Sequence, residues 1–285
     1  MDTRFLESLL SVVETGSIVA AARAQNLTPA ATSQRIQVLE RELGVQLLTR
    51  KANAAVPTRS CLDLLEPMRQ VVAQTRALKQ RAAPGVAEGV VRLGAISTML
   101  TGIVPDLLKA LRRIAPGVTL EIEPGSSQAL HEAVLEGRLD AALIVAPGVP
   151  PLERIRLLEL RREPLVLLAP AGEAHRPVAE LFAGHPHVAY DPRSWGGRIA
   201  QRYLDDHGIA AQRLCALDGL EAISEMVRQG AGVSVVPDWP GLRGAVPLPD
   251  GHLYQRSIVV VTPENGERPA CTRALLEALA EVTAT

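Results

Sequence analysis

The chain has 285 residues, more than one typical core needs and enough for two or three modules. A net charge of −1 conceals an asymmetry: residues 1–85 hold 11 Lys and Arg against 7 Asp and Glu, and the remainder 19 against 24. Three cysteines far apart imply no disulfide framework, and the absence of any apolar run of about 18 residues excludes a membrane span. The N-terminus is amphipathic and carries charges, unlike a signal peptide, so a cytoplasmic protein is expected. Aromatics are scarce, with two Phe, two Trp and three Tyr, so the core must be built from Leu, Val and Ala.

Phe5, Leu9 and Val13, with Leu6 and Leu10 beside them, predict a first helix packed behind the next two. Residues 17–43 read as two short helices joined by a tight turn. Ser17 caps the first, and Asn26 and Leu27 break the pattern. Thr28 caps the second, with Pro29 at its first position, where a missing N–H costs nothing. Thr32, Ile36, Leu39 and Leu43 form one inward stripe. The opposite face carries Ala30, Ser33, Gln34, Gln37 and Arg41, small near its start and rich in amide and hydroxyl groups. A helix entering a DNA major groove needs such a face. Arg35 lies off that face, as a phosphate or intraprotein partner. Residues 45–58 predict two extended pieces around a tip with two cations, Arg50 and Lys51, suited to phosphates or the minor groove.

The segment ETGSIVAAARAQNLTPAATSQRIQVLERELGVQLLTR resembles the N-terminal winged helix-turn-helix of LysR-type transcriptional regulators. Phe5, Glu14, Gly16, Ser17, Ala21, Ala22, Leu27, Thr28, Ala31, Ser33, Ile36, Leu39, Glu40, Leu43, Gly44, Leu47 and Arg50 fall where the family pattern expects them. Leu48 stands in place of a usual Phe. Thr32 replaces a usual Val, and its hydroxyl can bond back to the carbonyl four residues earlier. Pro57 and Cys61 replace a usual Leu and Gly, which leaves the path from wing to next helix open.

A helix over 60–83 has Leu64, Val71 and Leu78 near a seven-residue period, with Pro67 as a kink or a first-turn restart. The resemblance implies that this linker helix pairs antiparallel across a dimer. From Val90 the texture changes to alternating strands and helices. Strands are expected at 90–96, 118–123 and 139–145, with helices at 103–114 and 128–136. A second unit follows, with strands at 165–169, 187–190, 214–217, 232–237 and 256–261 and helices at 197–206, 220–229 and 270–282. The βαβαβ order predicts a mostly parallel sheet and two lobes with a cleft between them. LEIEPGSSQALHEAVLEGRLDAALIV and LDGLEAISEMVRQGAGVSVVP are similar to the family's effector-binding region, itself similar to periplasmic solute-binding proteins.

The expected architecture is therefore an α/β protein with an all-α, winged N-terminal domain: a winged helix-turn-helix at 1–58, a linker dimerisation helix at 59–85 and a two-lobed, periplasmic-binding-protein-like effector domain at 86–285. DNA contacts are expected from Thr28, Pro29, Ala30, Ser33, Gln34, Arg50, Lys51 and Asn53. Effector contacts are expected from Ser97, Thr98, Ser126, Ser127, Trp195, Asp218 and Gly219. The four hydroxyls among these can equally serve as helix caps, as can Asp218. Trp195 is a lid or a surface anchor, and Arg193 or Arg198 could neutralise a carboxylate. The expected partners are double-stranded promoter DNA, a small effector with carboxylates among the candidates, a second or fourth copy of the chain, and RNA polymerase.

Enzyme readings are weaker. Gly94, Gly102 and Gly125 assemble no phosphate loop, and Ser97, His131 and Asp140 are not placed as a triad. The segment His185-Pro186-His187 is expected to be a turn with exposed imidazoles rather than a metal site, and Cys215 lacks a resolving partner for redox switching. No cofactor, metal or catalytic residue is expected. A small-solute-binding protein with no DNA role is the alternative reading, and a DNA-bending protein with an empty cleft a third.

Overall fold

A computed structural model describes residues 2–51, 54–81, 87–148, 154–173, 175–264 and 270–283. The chain divides into two compact units, Met1–Pro84 and Gly85–Thr285.

In the first unit, α1 (Thr3–Thr15), α2 (Ile18–Ala24) and α3 (Pro29–Leu43) pack around Leu6, Leu9, Val12, Ala21, Ile36 and Leu39. Each helix starts on a side-chain cap: Asp2 takes the Arg4 N–H, Ser17 that of Ala20 and Thr28 that of Ala31. Gly16 and Gly44 end α1 and α3 in the left-handed conformation that glycine adopts without steric cost. Asn26, at φ 53°, makes the turn between α2 and α3. Thr32 is fully buried and donates its hydroxyl to the Thr28 carbonyl at 3.2 Å, which satisfies the polar atom on an apolar stripe.

The strands β1 (Leu48–Lys51) and β2 (Ala54–Pro57) pair antiparallel, with Lys51 opposite Ala54. The wing is shorter than the extended pieces expected over 45–58. Thr58 settles the path out of it, because its hydroxyl donates to the Gln46 carbonyl and accepts the Cys61 N–H that opens α4 (Arg59–Arg81). Cys61 is fully buried there, and burial pushes its thiol up to about 11. Pro67 lies inside α4 without ending it. Cys61, Met68 and Val72 form the face of α4 buried in the core, whereas Leu62, Val71 and Leu78 are exposed.

The second unit contains β3 (Glu88–Ala95), α5 (Ser97–Thr101), α6 (Val104–Ile114), β4 (Gly117–Pro124), α7 (Ser127–Leu135), β5 (Ala141–Val145), β6 (Ile155–Leu168), α8 (Val178–Gly184), β7 (His187–Tyr190), α9 (Trp195–Asp206), β8 (Arg213–Leu217), α10 (Leu220–Arg228), β9 (Ser234–Pro237), β10 (Val246–Pro247), β11 (Gln255–Pro263) and α11 (Ala270–Thr283). One sheet runs β10-β6-β11-β5-β3-β4, with β9 also on β6. Only β3 with β4 and β5 is parallel in it; β11 runs antiparallel to β5 and β6, as do β9 and β10 to β6. The expectation of a mostly parallel sheet is thus corrected to a mixed one, because two strands run back between the lobes. A separate parallel pair joins β7 to β8.

Two cores result. The first joins β3, β5 and β11 to α6, α7 and α11, and the second joins the latter half of β6, β7 and β9 to α8, α9 and α10. The strand β6 passes from one core to the other, with Ile155 in the first and Leu165 in the second, and β11 runs beside it with Ile258 in the first. The histidines 185 and 187 do not form an exposed turn. His187 opens β7 and is buried edge-on to Phe182, with ring centroids 5.2 Å apart. Burial, and secondarily Arg213, hold its pKa down at about 4.

Candidate DNA-binding face and interlobe cleft

The outward side of α3 presents Pro29, Ala30, Gln34, Gln37 and Arg41 to solvent, with Ser33 half-buried. Its carboxylate Glu40 is turned away and accepts the Leu47 and Leu48 N–H groups at 2.8 and 3.1 Å, which pins the start of the wing. No acid stands among the residues closest to the N-terminus of that face, where phosphates and base edges would meet it. Thr28 serves as the cap. Arg35 is an intraprotein partner: it donates to Ser8 at 3.2 Å, and Ser8 in turn donates to Gln25 at 2.8 Å, tying α3 to α1 and to the end of α2. That polar tether holds the helix at one angle, a requirement for reading bases rather than only touching phosphate. Arg50 and Lys51 lie in β1, and Asn53 falls outside the described residues.

In the second unit a cleft of about 330 Å³ opens between the lobes, at the C-terminal ends of β3 and β4. It is lined by Ser97, Thr98, Ser126, Ser127, Asp218 and Gly219 of the residues singled out from the sequence, and also by Tyr190 and Arg256. Its volume is at the small end of ligand pockets.

Only one of the four hydroxyl residues acts as a side-chain cap. Ser126 accepts the Ala129 N–H at 3.3 Å to start α7. Ser127 accepts the Val145 N–H from the neighbouring strand at 3.1 Å, and Thr98, buried, accepts from Arg256 at 3.1 Å. Each of these three keeps its own proton to donate. Ser97 instead donates to Glu221 at 2.8 Å, a link from the first lobe to the second. Gly219, not Asp218, is the N-cap of α10, so the Asp218 carboxylate is not used for capping.

Trp195 does not line the cleft. It is the first residue of α9 rather than part of a loop, and it packs on the first core with its ring edge-on to His131, 5.4 Å between centroids. Neither Arg193 nor Arg198 supplies the cleft's cation: Arg193 is exposed and paired with Asp191 at 2.8 Å, and Arg198 is exposed on α9. The cation is Arg256. This residue is 1% exposed, and its guanidinium donates to Glu163 at 2.5 Å, to Tyr190 at 3.4 Å and to Thr98 at 3.1 Å. Arg256 and Glu163 face each other across β11 and β6, at the point where β6 changes cores, so the pair forms the floor of the cleft. Glu163 is also bonded by Arg161. Sequence reasoning missed these residues because 93 positions separate the partners and neither lies in a motif.

Solvent reaches Asp218, yet desolvation by the protein around it raises its carboxyl above the usual range, against smaller opposing effects from Ser194 and Arg256. Cys215 is half-buried on β8 and packs against the second core, whereas Cys271 is buried in the first. Among the described residues no group of His, Cys, Asp and Glu could hold a metal ion, and no helix is long and apolar enough to cross a membrane.

A tri-helical, winged unit with a polar recognition helix, together with a two-lobed α/β unit whose small cleft carries hydroxyls and a buried cation, defines a DNA-binding regulator that carries a ligand-binding domain. Comparison with known proteins gives the family. Residues 3–61 match the model of the bacterial regulatory helix-turn-helix protein, lysR family, and residues 84–284 that of the LysR substrate binding domain. The chain belongs to the LysR family of transcriptional regulators. It is 27% identical over 238 residues to the HTH-type transcriptional regulator CzcR of Bacillus cereus, covering 83% of this chain and 80% of that one. Its fold is similar to a full-length variant of OxyR from Pseudomonas aeruginosa, with TM-score 0.74 and 22% identity over 98% of this chain and 94% of that one. It is also similar to full-length CbnR solved in complex with its target DNA, with TM-score 0.65 and 20% identity over 99% of this chain and 100% of that one.

Proposed function

We propose that this regulator binds a dyad-symmetric promoter site as a dimer, or a dimer of dimers, and changes transcription when a small effector enters the interlobe cleft. The observation that carries the DNA reading is the exposed, acid-free N-terminal half of α3, with Gln34 and Ala30 outward and Glu40 turned onto the wing. In this reading Pro29, Ala30, Ser33 and Gln34 meet base edges, while Thr28, Arg50, Lys51 and Asn53 meet the backbone or minor groove. The structure of CbnR with its target DNA supports promoter binding. Two copies pair along α4, whose Leu62, Val71 and Leu78 are exposed in a single chain. Effector contacts come from Ser97, Thr98, Ser126, Ser127, Asp218, Gly219 and the added Arg256. Closing the lobes on a ligand shifts the dimer arrangement and hence DNA bending or polymerase contact. The protein acts in the cytoplasm and without catalysis, as a regulator acts on its DNA.

A gel-shift titration against promoter DNA tests the reading. Gln34→Ala weakens the specific complex by about 1–3 kcal/mol and leaves binding to random DNA unchanged; an equal loss on both removes Gln34 from base readout. Lys51→Ala lowers both affinities evenly and reduces the salt slope by about one; an unchanged slope counts against a phosphate role.

A further inference from the structure

Two charged side chains line the cleft, and they are not equivalent. The charge of Arg256 is met from below by Glu163. Three of its N–H groups go to Glu163, Tyr190 and Thr98, and a guanidinium has five, so two are left to give. Asp218 forms no ion pair among the described residues, and its side chain is open to solvent. Around the cleft and its floor, the cations Arg161 and Arg256 stand against the carboxylates Glu163, Asp218 and Glu221. Arg161 and Arg256 share Glu163, which leaves one surplus cation, and the carboxylates of Asp218 and Glu221 outweigh it, so a ligand with negative charge alone would face Asp218 across the cleft. Tyr190, bonded to Arg256, lines the cleft together with Asp218, so both poles open onto the same cavity.

We propose that the ligand of this cleft is a zwitterion of the α-amino-acid type, its ammonium on Asp218 and its carboxylate on the two remaining Arg256 N–H groups and the Thr98 and Ser127 hydroxyls. This rests on the reading of the cleft as the effector site, and it replaces the simple carboxylate suggested by the sequence. The protein around Asp218, which disfavours its lone charge, is compensated when an ammonium arrives.

The test is calorimetric titration of the full chain with the twenty standard L-amino acids and with the desamino acid matching each. At least one amino acid binds, its desamino counterpart binds at least tenfold more weakly, and Asp218→Asn narrows that preference to threefold or less. The proposal is overturned if no amino acid binds, if desamino acids bind equally well, or if Asp218→Asn keeps the preference. Desamino acids that bind and are lost in Thr98→Val or Ser127→Ala keep the cleft as the site and remove only the ammonium from Asp218. Binding indifferent to all three substitutions places the ligand elsewhere and overturns the cleft reading itself.

Discussion

Replacing either partner of the Glu163–Arg256 pair has consequences that the local geometry orders. Both side chains are 2% exposed, so neither charge has water to fall back on. Breaking a buried pair from one side costs about 3–5 kcal/mol, because the remaining charge is left uncompensated. The two sides differ here. Glu163→Gln leaves the buried Arg256 charge with only neutral oxygens, those of Thr98, Tyr190 and the new amide, and Arg161 loses its carboxylate as well. Arg256→Met leaves Glu163 still paired with Arg161, which is 24% exposed. Glu163→Gln is therefore expected at the upper end, about 4–5 kcal/mol, and Arg256→Met nearer about 2–3 kcal/mol. For a domain of this size each kcal/mol lowers Tm by about 2–4 °C, so the first variant melts about 8–20 °C lower and the second about 4–12 °C lower. Urea unfolding followed by circular dichroism measures both, with the double variant Glu163→Gln/Arg256→Met closing a cycle. A smaller loss for Glu163→Gln than for Arg256→Met would refute the assignment of Glu163 as the shared counter-ion.

His187 makes stability depend on pH. Its folded pKa of about 4 lies below the 6.5 of the free side chain, so the unfolded chain binds the extra proton and stability falls as pH drops from 6.5 towards 4. The loss reaches about 3 kcal/mol at the acid end, and His187→Phe abolishes it; a variant with the same acid dependence would place its cause elsewhere. Leu78, 66% exposed on α4, belongs to the proposed dimer seam, so Leu78→Glu should yield monomers in sedimentation at micromolar concentration. An unchanged mass would take α4 out of the interface.

The first unit was legible in the sequence because its signals are local. Caps at Ser17 and Thr28, Pro29 and the four-three-four spacing from Thr32 each act within one or two turns, and the structure places every one as read. Even the Thr32 hydroxyl finds the expected carbonyl. In the second unit, elements with continuous apolar runs such as Ala141–Val145 were legible too, whereas the first half of β6 was not. Its segment IRLLELRRE is half exposed and carries five charges, which masks a strand until β11 is laid beside it. His187 was misread for the converse reason: a proline and a second histidine imply a turn, yet β8 and Val233 flank it on both sides. The cleft hydroxyls follow from strand ends, a rule of topology. Arg256 follows from nothing local, since only the crossing of β6 and β11 brings it under Thr98.

The central claim is that α3 lies in the major groove, paired with a twin related by a dyad. Hydroxyl-radical footprinting of the full chain on promoter DNA tests it most directly. The account predicts protected tracts repeating at one helical turn, about 10–10.5 base pairs, or a multiple of it, disposed symmetrically and lost in Gln34→Ala at concentrations that saturate the unsubstituted protein. Uniform protection with no dyad, or a symmetric footprint that survives Gln34→Ala and Ser33→Ala together, would contradict it.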